Sequence, residues 1–98
     1  MAVKILIKRS VPPSKAKQMI PLFRKMRAHA TQQAGYISGE TLKSLDQPDL
    51  FLVISTWQSS EHWEKWLLSK TRQEMQKEID ALLGGNTAYE MYHYGFAE

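Results

Sequence analysis

The chain alternates strand-like and helix-like segments in the order strand, helix, strand, strand, helix, strand. That order predicts an α+β fold: a ferredoxin-like βαββαβ domain, with a four-stranded antiparallel sheet carrying both helices on one face. Two further observations agree. Leu50-Phe51-Leu52-Val53-Ile54 is apolar at consecutive positions, as expected of a strand buried on both faces. Right-handed crossovers place this third strand beside the first in the middle of the sheet. With 98 residues, 43% of them hydrophobic, and no low-complexity run, the chain reads as a single domain spanning residues 1–98.

The first strand is read from Val3-Lys4-Ile5-Leu6-Ile7-Lys8-Arg9, rich in β-branched residues and stopped by Pro12-Pro13. Ser14 stands where a helix cap is wanted. From Lys15 to about Gln32, Ala16, Met19, Ile20, Phe23, Met26 and Ala30 form a helical stripe. Pro21 inside it predicts a kink or the start of the regular helix, and Gly35 ends the segment. Tyr36 to Leu45 is the second strand, followed by turn chemistry in Asp46-Gln47-Pro48-Asp49. Ser59 caps a second helix, with Glu61 in its positively polarised first turn and a Glu61–Lys65 pair on its surface. Met75, Ile79, Leu82 and Leu83 carry that helix to Gly84-Gly85-Asn86. Thr87 to Phe96, with Tyr89, Tyr92, Tyr94 and Phe96, is the last strand.

Helices on one face leave the other sheet face uncovered, and Leu6 and one parity of Phe51–Ile54 must point there. An apolar sheet face of that size is not left in water. The simplest cover is a second copy of the same face, packed sheet on sheet about a twofold axis. A homodimer is therefore expected. With Val3, Ile5 and Ile7 turned to the helices, Lys4, Leu6 and Lys8 would face the partner, with Glu40 and Glu90 as candidate carboxylates for the lysines.

The net charge is +3, but residues 1–33 hold eight Lys or Arg and no acid. An anion-binding face is one reading; a basic helix beside an acidic one is the other, and the spread of the basic residues favours it. No apolar run spans a bilayer and no charged n-region precedes an apolar h-region, so a soluble, cytoplasmic protein with no membrane partner is expected. There is no cysteine, which removes disulfides, thiolate metal sites and cysteine nucleophiles.

All three tryptophans lie within Ser55-Thr56-Trp57-Gln58-Ser59-Ser60-Glu61-His62-Trp63-Glu64-Lys65-Trp66-Leu67. Trp57 and Trp63 are expected in the core, as large aromatic bodies beside a thin sheet. Trp66 differs: Leu67 supplies the core position one step on, and a polar ligand would give its indole N–H a partner. His29, His62 and His93 fall in three elements and form no metal-binding pair or cluster, so no metal is expected. His29 and His62 read as helix-surface residues. His93 shares a strand face with Met91 and Tyr89; turned toward the helices it would be a base for a phenolic proton, and otherwise a hydrogen-bonded or edge histidine. No nucleophile elbow, phosphate loop or dinucleotide fingerprint is present.

The passage Val53-Ile54-Ser55-Thr56-Trp57-Gln58-Ser59-Ser60-Glu61-His62-Trp63-Glu64-Lys65-Trp66-Leu67-Leu68-Ser69, with Gly35-Tyr36 at the start of the second strand, resembles the antibiotic-biosynthesis monooxygenase superfamily. The likeness spans nearly the whole chain and implies a dimeric α+β barrel of two ferredoxin-like protomers. It also implies oxygenase chemistry without metal or flavin, in which a deprotonated phenol or quinol is itself the reductant of O2. Trp66 falls on the position that faces the cavity in such proteins. A haem-degrading branch of the fold needs a histidine and an asparagine where this chain has Gln76 and Ile7, and is rejected.

The expected function is thus cofactor-independent monooxygenation of a small aromatic, phenolic or quinol substrate. His93 and Trp66 are the catalytic candidates, Trp66, Tyr89 and Met91 the substrate-binding ones, and no cofactor is expected. The rival is a non-catalytic dimeric module binding a small hydrophobic molecule. RNA binding is disfavoured, because no RNP-like segment is present and the dimer would bury the sheet face.

Overall fold

Alternation along the first strand sets the two faces of the sheet. In the computed structural model, which describes residues 1–85 and 87–95, β1 (Val3–Ser10) buries Val3, Ile5, Ile7 and Arg9 and leaves Lys4, Leu6 and Lys8 half-exposed. The period of two is that of a strand with one packed face. A single 3-10 turn (Pro13–Lys15) leads into α1 (Ala16–Ala30), followed by β2 (Tyr36–Lys43), β3 (Leu50–Trp57), α2 (Ser60–Leu67), α3 (Lys70–Leu83) and β4 (Thr87–His93). The strands lie in the order β2-β3-β1-β4, all neighbours antiparallel. This is the expected ferredoxin-like α+β sheet, with the first and third strands central.

Antiparallel partners share a face, so the register carries the parity of β1 across the sheet. Ile7 pairs with Val53 and Tyr89, Ile5 with Ser55 and Met91, Val3 with Trp57 and His93. These positions face the helices. Met19 and Met26 of α1 and Met75 and Ile79 of α3 close the core over them together with Trp57, Trp63 and Trp66. Leu6, Leu52 and Ile54 occupy the opposite face, as expected, beside an ion pair in which Lys8 Nζ stands 3.3 Å from Glu90 Oε1.

Several local expectations are corrected. Ser14 caps nothing; it lies inside the 3-10 turn, and α1 begins after Lys15 with no side-chain cap. Pro21 is neither boundary nor first residue, since α1 runs through it with the ring on the exposed side. Ile20 leaves the apolar stripe and is 46% exposed. The second helix is two helices. Ser69 breaks it: its N–H and Oγ donate to the Trp66 carbonyl at 3.1 and 2.8 Å, and its Oγ accepts from Arg72 N as the cap of α3. Asn86 in the expected stop and Phe96 in the expected strand lie outside the described residues.

Gly35, in the turn between α1 and β2, packs against the first turn of α2. Its φ is +86°, where a side chain is disfavoured, and a Cβ there would run into the ring of His62. The Gly35 carbonyl accepts from Gln58 N at 2.7 Å, and Ser59 Oγ lies 2.7 Å from His62 Nδ1. His62 is therefore half-buried against the sheet and not a surface residue. Gly35→Ala is expected to cost roughly 2–4 kcal/mol, adding displaced packing to the backbone penalty. Gly84→Ala, at φ +85° with open space around it, should cost only about 1–2 kcal/mol. Urea unfolding of both variants is the check, and equal losses would show that His62 packing contributes nothing.

Candidate functional site

The space between helices and sheet is not completely filled. A cavity is bounded below by Ile7, Val53, Ser55 and Trp57, at the sides by Phe23 and Met26 of α1 and Trp63 and Trp66 of α2, and at one end by Arg9 and Arg72. A water-sized sphere can be centred over about 70 Å³ of it. One water needs only roughly 10–15 Å³ on that measure, so there is room for several ligand atoms.

Its aromatic wall is ordered by short-range geometry. Trp57 and Trp63 meet edge to face with centroids 5.9 Å apart, and Tyr36 stands perpendicular to Trp57 at 5.4 Å. Such tilted contacts suit the ring quadrupoles. A register shift between Tyr36 and Ser38 lets the Tyr36 ring lie over Gly39, where a side chain would block its hydroxyl. Trp57 Nε1 donates to Ser55 Oγ at 3.1 Å. Trp63 is 1% exposed, and its Nε1 has no partner.

The polar end holds two arginines that the sequence reading passed over. Arg9 and Arg72 are 3% and 2% exposed. Arg9 follows Val3, Ile5 and Ile7 on the inward parity of β1. Arg72 reaches the cavity because of the break at Ser69. At about 100° per residue, an uninterrupted helix would put Trp63 and Arg72 on opposite sides. Instead the Arg72 guanidinium sits 5.4 Å from the Trp63 ring centre and 5.3 Å from that of Tyr89.

Both guanidiniums find only neutral acceptors. Arg9 Nη2 donates to Gln76 Oε1 at 3.0 Å and stands 3.8 Å from Met26 Sδ, with its carbon 5.3 Å from the Phe23 ring centre. Arg72 Nη2 donates to the Tyr89 hydroxyl at 3.0 Å, which in turn donates to Gln76 Oε1 at 3.2 Å. Gln76 completes the chain through Nε2, donating to Asp80 Oδ1 at 2.8 Å and Thr87 Oγ1 at 3.1 Å. Among the described residues no carboxylate lies within 4.0 Å of either guanidinium, and the Nε of each is unpartnered. Burial pushes the Arg9 pKa down to about 10; the like charge of Arg72 acts in the same direction, while Tyr89 and Asp80 oppose it.

Trp66 lines this cavity, and Trp57 and Trp63, expected as core alone, line it too. The β4 candidates stand apart. Tyr89 does not line it but touches two residues that do, Arg72 through its hydroxyl and Trp63 through its ring at 6.2 Å between centroids, and it borders a shallow groove beside α3 with Gln73, Gln76 and Lys77. Met91 and His93 have the inward parity but sit on an edge strand, Met91 61% exposed and His93 exposed, and neither lines the cavity. Sequence reasoning had a usable signal for the arginines: each is a charge on an otherwise apolar period, Arg9 in β1 and Arg72 with Met75 and Ile79 in α3. Gln76 and Ile7, named for the haem branch, are respectively tied into four side-chain hydrogen bonds and set in the cavity floor.

A sequence profile of antibiotic biosynthesis monooxygenases matches residues 2–78. The chain belongs to the antibiotic biosynthesis monooxygenase family. No curated protein matches it. Solved structures share the family fold at low identity. A conserved protein from Methanosarcina mazei Go1 superposes with a TM-score of 0.86 at 17% identity, over 95% of this chain and 92% of that one. SnoaB of Streptomyces nogalater, described as a cofactor-independent oxygenase and solved as a point mutant, gives 0.84 at 14% identity over 98% and 95%. A Mycobacterium tuberculosis protein gives 0.84 at 14% identity over 100% and 98%. Among the described residues of this family member, no group of three His, Cys, Asp or Glu could hold a metal, and no helix is long and apolar enough to cross a membrane.

Keeping Arg9 charged in this setting costs stability. Its folded pKa lies below its unfolded value, so above about pH 10 the unfolded chain binds more protons, and stability rises with pH only there. At lower pH the cost is constant. Arg9→Met should therefore melt at or above the parent temperature, by a margin that does not change between about pH 6 and 9. Paired calorimetric melts test this, and a pH-dependent loss would contradict it.

Proposed function

We propose that this protein is a cofactor-independent monooxygenase that oxidises a small phenolic or quinol substrate with O2. The observation that carries the reading is the pairing of an aromatic cavity with two buried guanidiniums that have no carboxylate within 4.0 Å among the described residues. In this chemistry the substrate is the reductant. Loss of a proton gives a delocalised anion, which passes one electron to O2. The substrate radical and superoxide combine to form a C–O bond. Where the carbon carries a second hydrogen, cleavage of the O–O bond with loss of water leaves a carbonyl, so one oxygen atom enters the product and one leaves as water.

The residues supply an environment and not a redox group. Arg9 and Arg72 favour the anion over the neutral phenol and lower its pKa, as fixed charges do in a dry site. Trp66 and Trp63 hold the ring plane and exclude water that would quench the radical pair. A proton released under that influence can pass to solvent, which takes over the role expected of His93. SnoaB, which shares the fold, is described as a cofactor-independent oxygenase, and that supports the reading.

Binding without turnover is the second reading, favoured by one observation: no histidine lines the cavity among the described residues. Oxygen-electrode rates on an anthrone or naphthohydroquinone separate the two. Trp66→Phe should slow enzymic uptake roughly tenfold, about 1.4 kcal/mol, with His93→Asn near the parent rate. Uptake never above the uncatalysed rate would leave the binding module.

The working form in this proposal is a homodimer closed over the open sheet face. Leu6, Leu52 and Ile54 would form its centre, with Leu42 and Tyr92, 43% and 50% exposed, toward its margins. Sedimentation at micromolar concentration should give a dimer. Leu6→Asp, which buries an unpaired charge there, should give a monomer. A monomeric parent protein would refute the assembly.

A further inference from the structure

We infer that the ligand of this cavity is an aromatic carboxylate, its ring held among the tryptophans and its carboxylate bound by Arg9, Arg72 and the indole N–H of Trp63. The inference rests on the proposed reading only in taking this cavity as the substrate site; it does not depend on turnover. Three side chains that line the cavity each retain a buried donor with no partner: Arg9 Nε, Arg72 Nε and Trp63 Nε1. Buried donors without protein acceptors are rare in folded proteins, and three on residues lining one cavity favour an acceptor that binds there. Two of them belong to guanidiniums that repel each other and meet only a glutamine oxygen, a phenol oxygen and a thioether.

The chemistry of the proposed ligand follows from these donors. It must be negative, because two positive charges lie buried with no carboxylate within 4.0 Å among the described residues. It must accept several hydrogen bonds at once. A carboxylate offers two oxygens with about four lone-pair sites, and is ionised at neutral pH without help from the protein. A single phenolate oxygen satisfies fewer donors, and a neutral ring satisfies none of the charge. Most of the remaining lining is aromatic or aliphatic, Phe23, Met26, Val53 and Trp66 among it, with Arg27, Glu40, Thr41 and Ser55 as its other polar or charged members, which suits a planar hydrocarbon body bearing one such group. A phenolic hydroxyl on the same ring would make this ligand a hydroxy-aromatic acid, the substrate class that meets both readings.

The test is titration of the full chain with 1-hydroxy-2-naphthoate and with salicylate, each beside its neutral carboxamide, followed by tryptophan fluorescence at about pH 7.5. At least one acid should bind about tenfold or more tighter than its amide. Arg9→Met and Arg72→Met should each weaken the acid about tenfold or more and leave the amide within about threefold. Arg24→Met, an exposed arginine of α1 outside the cavity, should change neither. If circular dichroism shows that a Met variant does not fold, Arg9→Lys and Arg72→Lys replace it, and loss of the acid preference is still expected because a lysine does not reproduce the fork. Equal binding of acid and amide, or an acid preference that survives both arginine substitutions, overturns the inference. Oxygen uptake on the same compounds separates this outcome from the functional reading: acid binding without uptake upholds the inference against the oxygenase, whereas uptake on neutral quinols without acid preference does the reverse.

Discussion

Packing on β1 decides the interior of this protein, because a strand cannot turn Val3, Ile5 and Ile7 inward without turning Arg9 inward as well. The two ladders that flank β1 hold that parity on both sides, to Val53 and Tyr89 opposite Ile7. No slip of one residue is open to it, since that would put Lys4, Leu6 and Lys8 into the core. The cation is therefore delivered to the end of the cavity by the same hydrogen bonds that build the sheet. Gln76 and Phe23 then meet it as neutral neighbours, and Arg72 arrives from α3 to make a pair.

Two buried positive charges without a carboxylate are a poor way to stabilise a small domain. Removing either charge is a short mutational step, as is supplying an acid nearby, for the pair stands near Gln76 and Thr87, each close in size to a carboxylate side chain. A sequence that keeps both charges gives up stability at this point, the pattern expected where function and stability pull against each other. The chain of hydrogen bonds from Arg9 through Gln76 and Tyr89 to Arg72 fixes where the two forks stand and so preorganises them.

The fold was readable because its signals are local and repeated: alternation in β1, an unbroken apolar run in β3, a helical stripe in α1, and Gly35 at a turn that tolerates nothing larger. The open sheet face followed from the same alternation. The site was only partly readable. Trp66 stood out because Leu67 filled the adjacent core position. Arg9 and Arg72 did not, because a basic residue is ordinarily a surface residue, and their burial depends on tertiary packing. The interruption at Ser69 was hidden by Leu67 and Leu68, which keep the segment apolar across the break, and a serine that caps looks in sequence like a serine within a helix. Met91 and His93 take the inward of the two parities open to them, but parity says nothing about how far the helical layer extends over an edge strand.

The two-residue joint at Leu68 and Ser69 has a consequence for how such a site changes over time. The facing of α3 is set by the length of that joint and not by helical phase continuing from α2. Because the joint is not helical, a residue gained or lost there can alter which side chain α3 presents to the cavity, with the tryptophans on α2 undisturbed. Length variation at one short connection can thus exchange the charge of the pocket while its aromatic half stays as it is. In this architecture, ligand preference is open to insertion and deletion as well as to substitution.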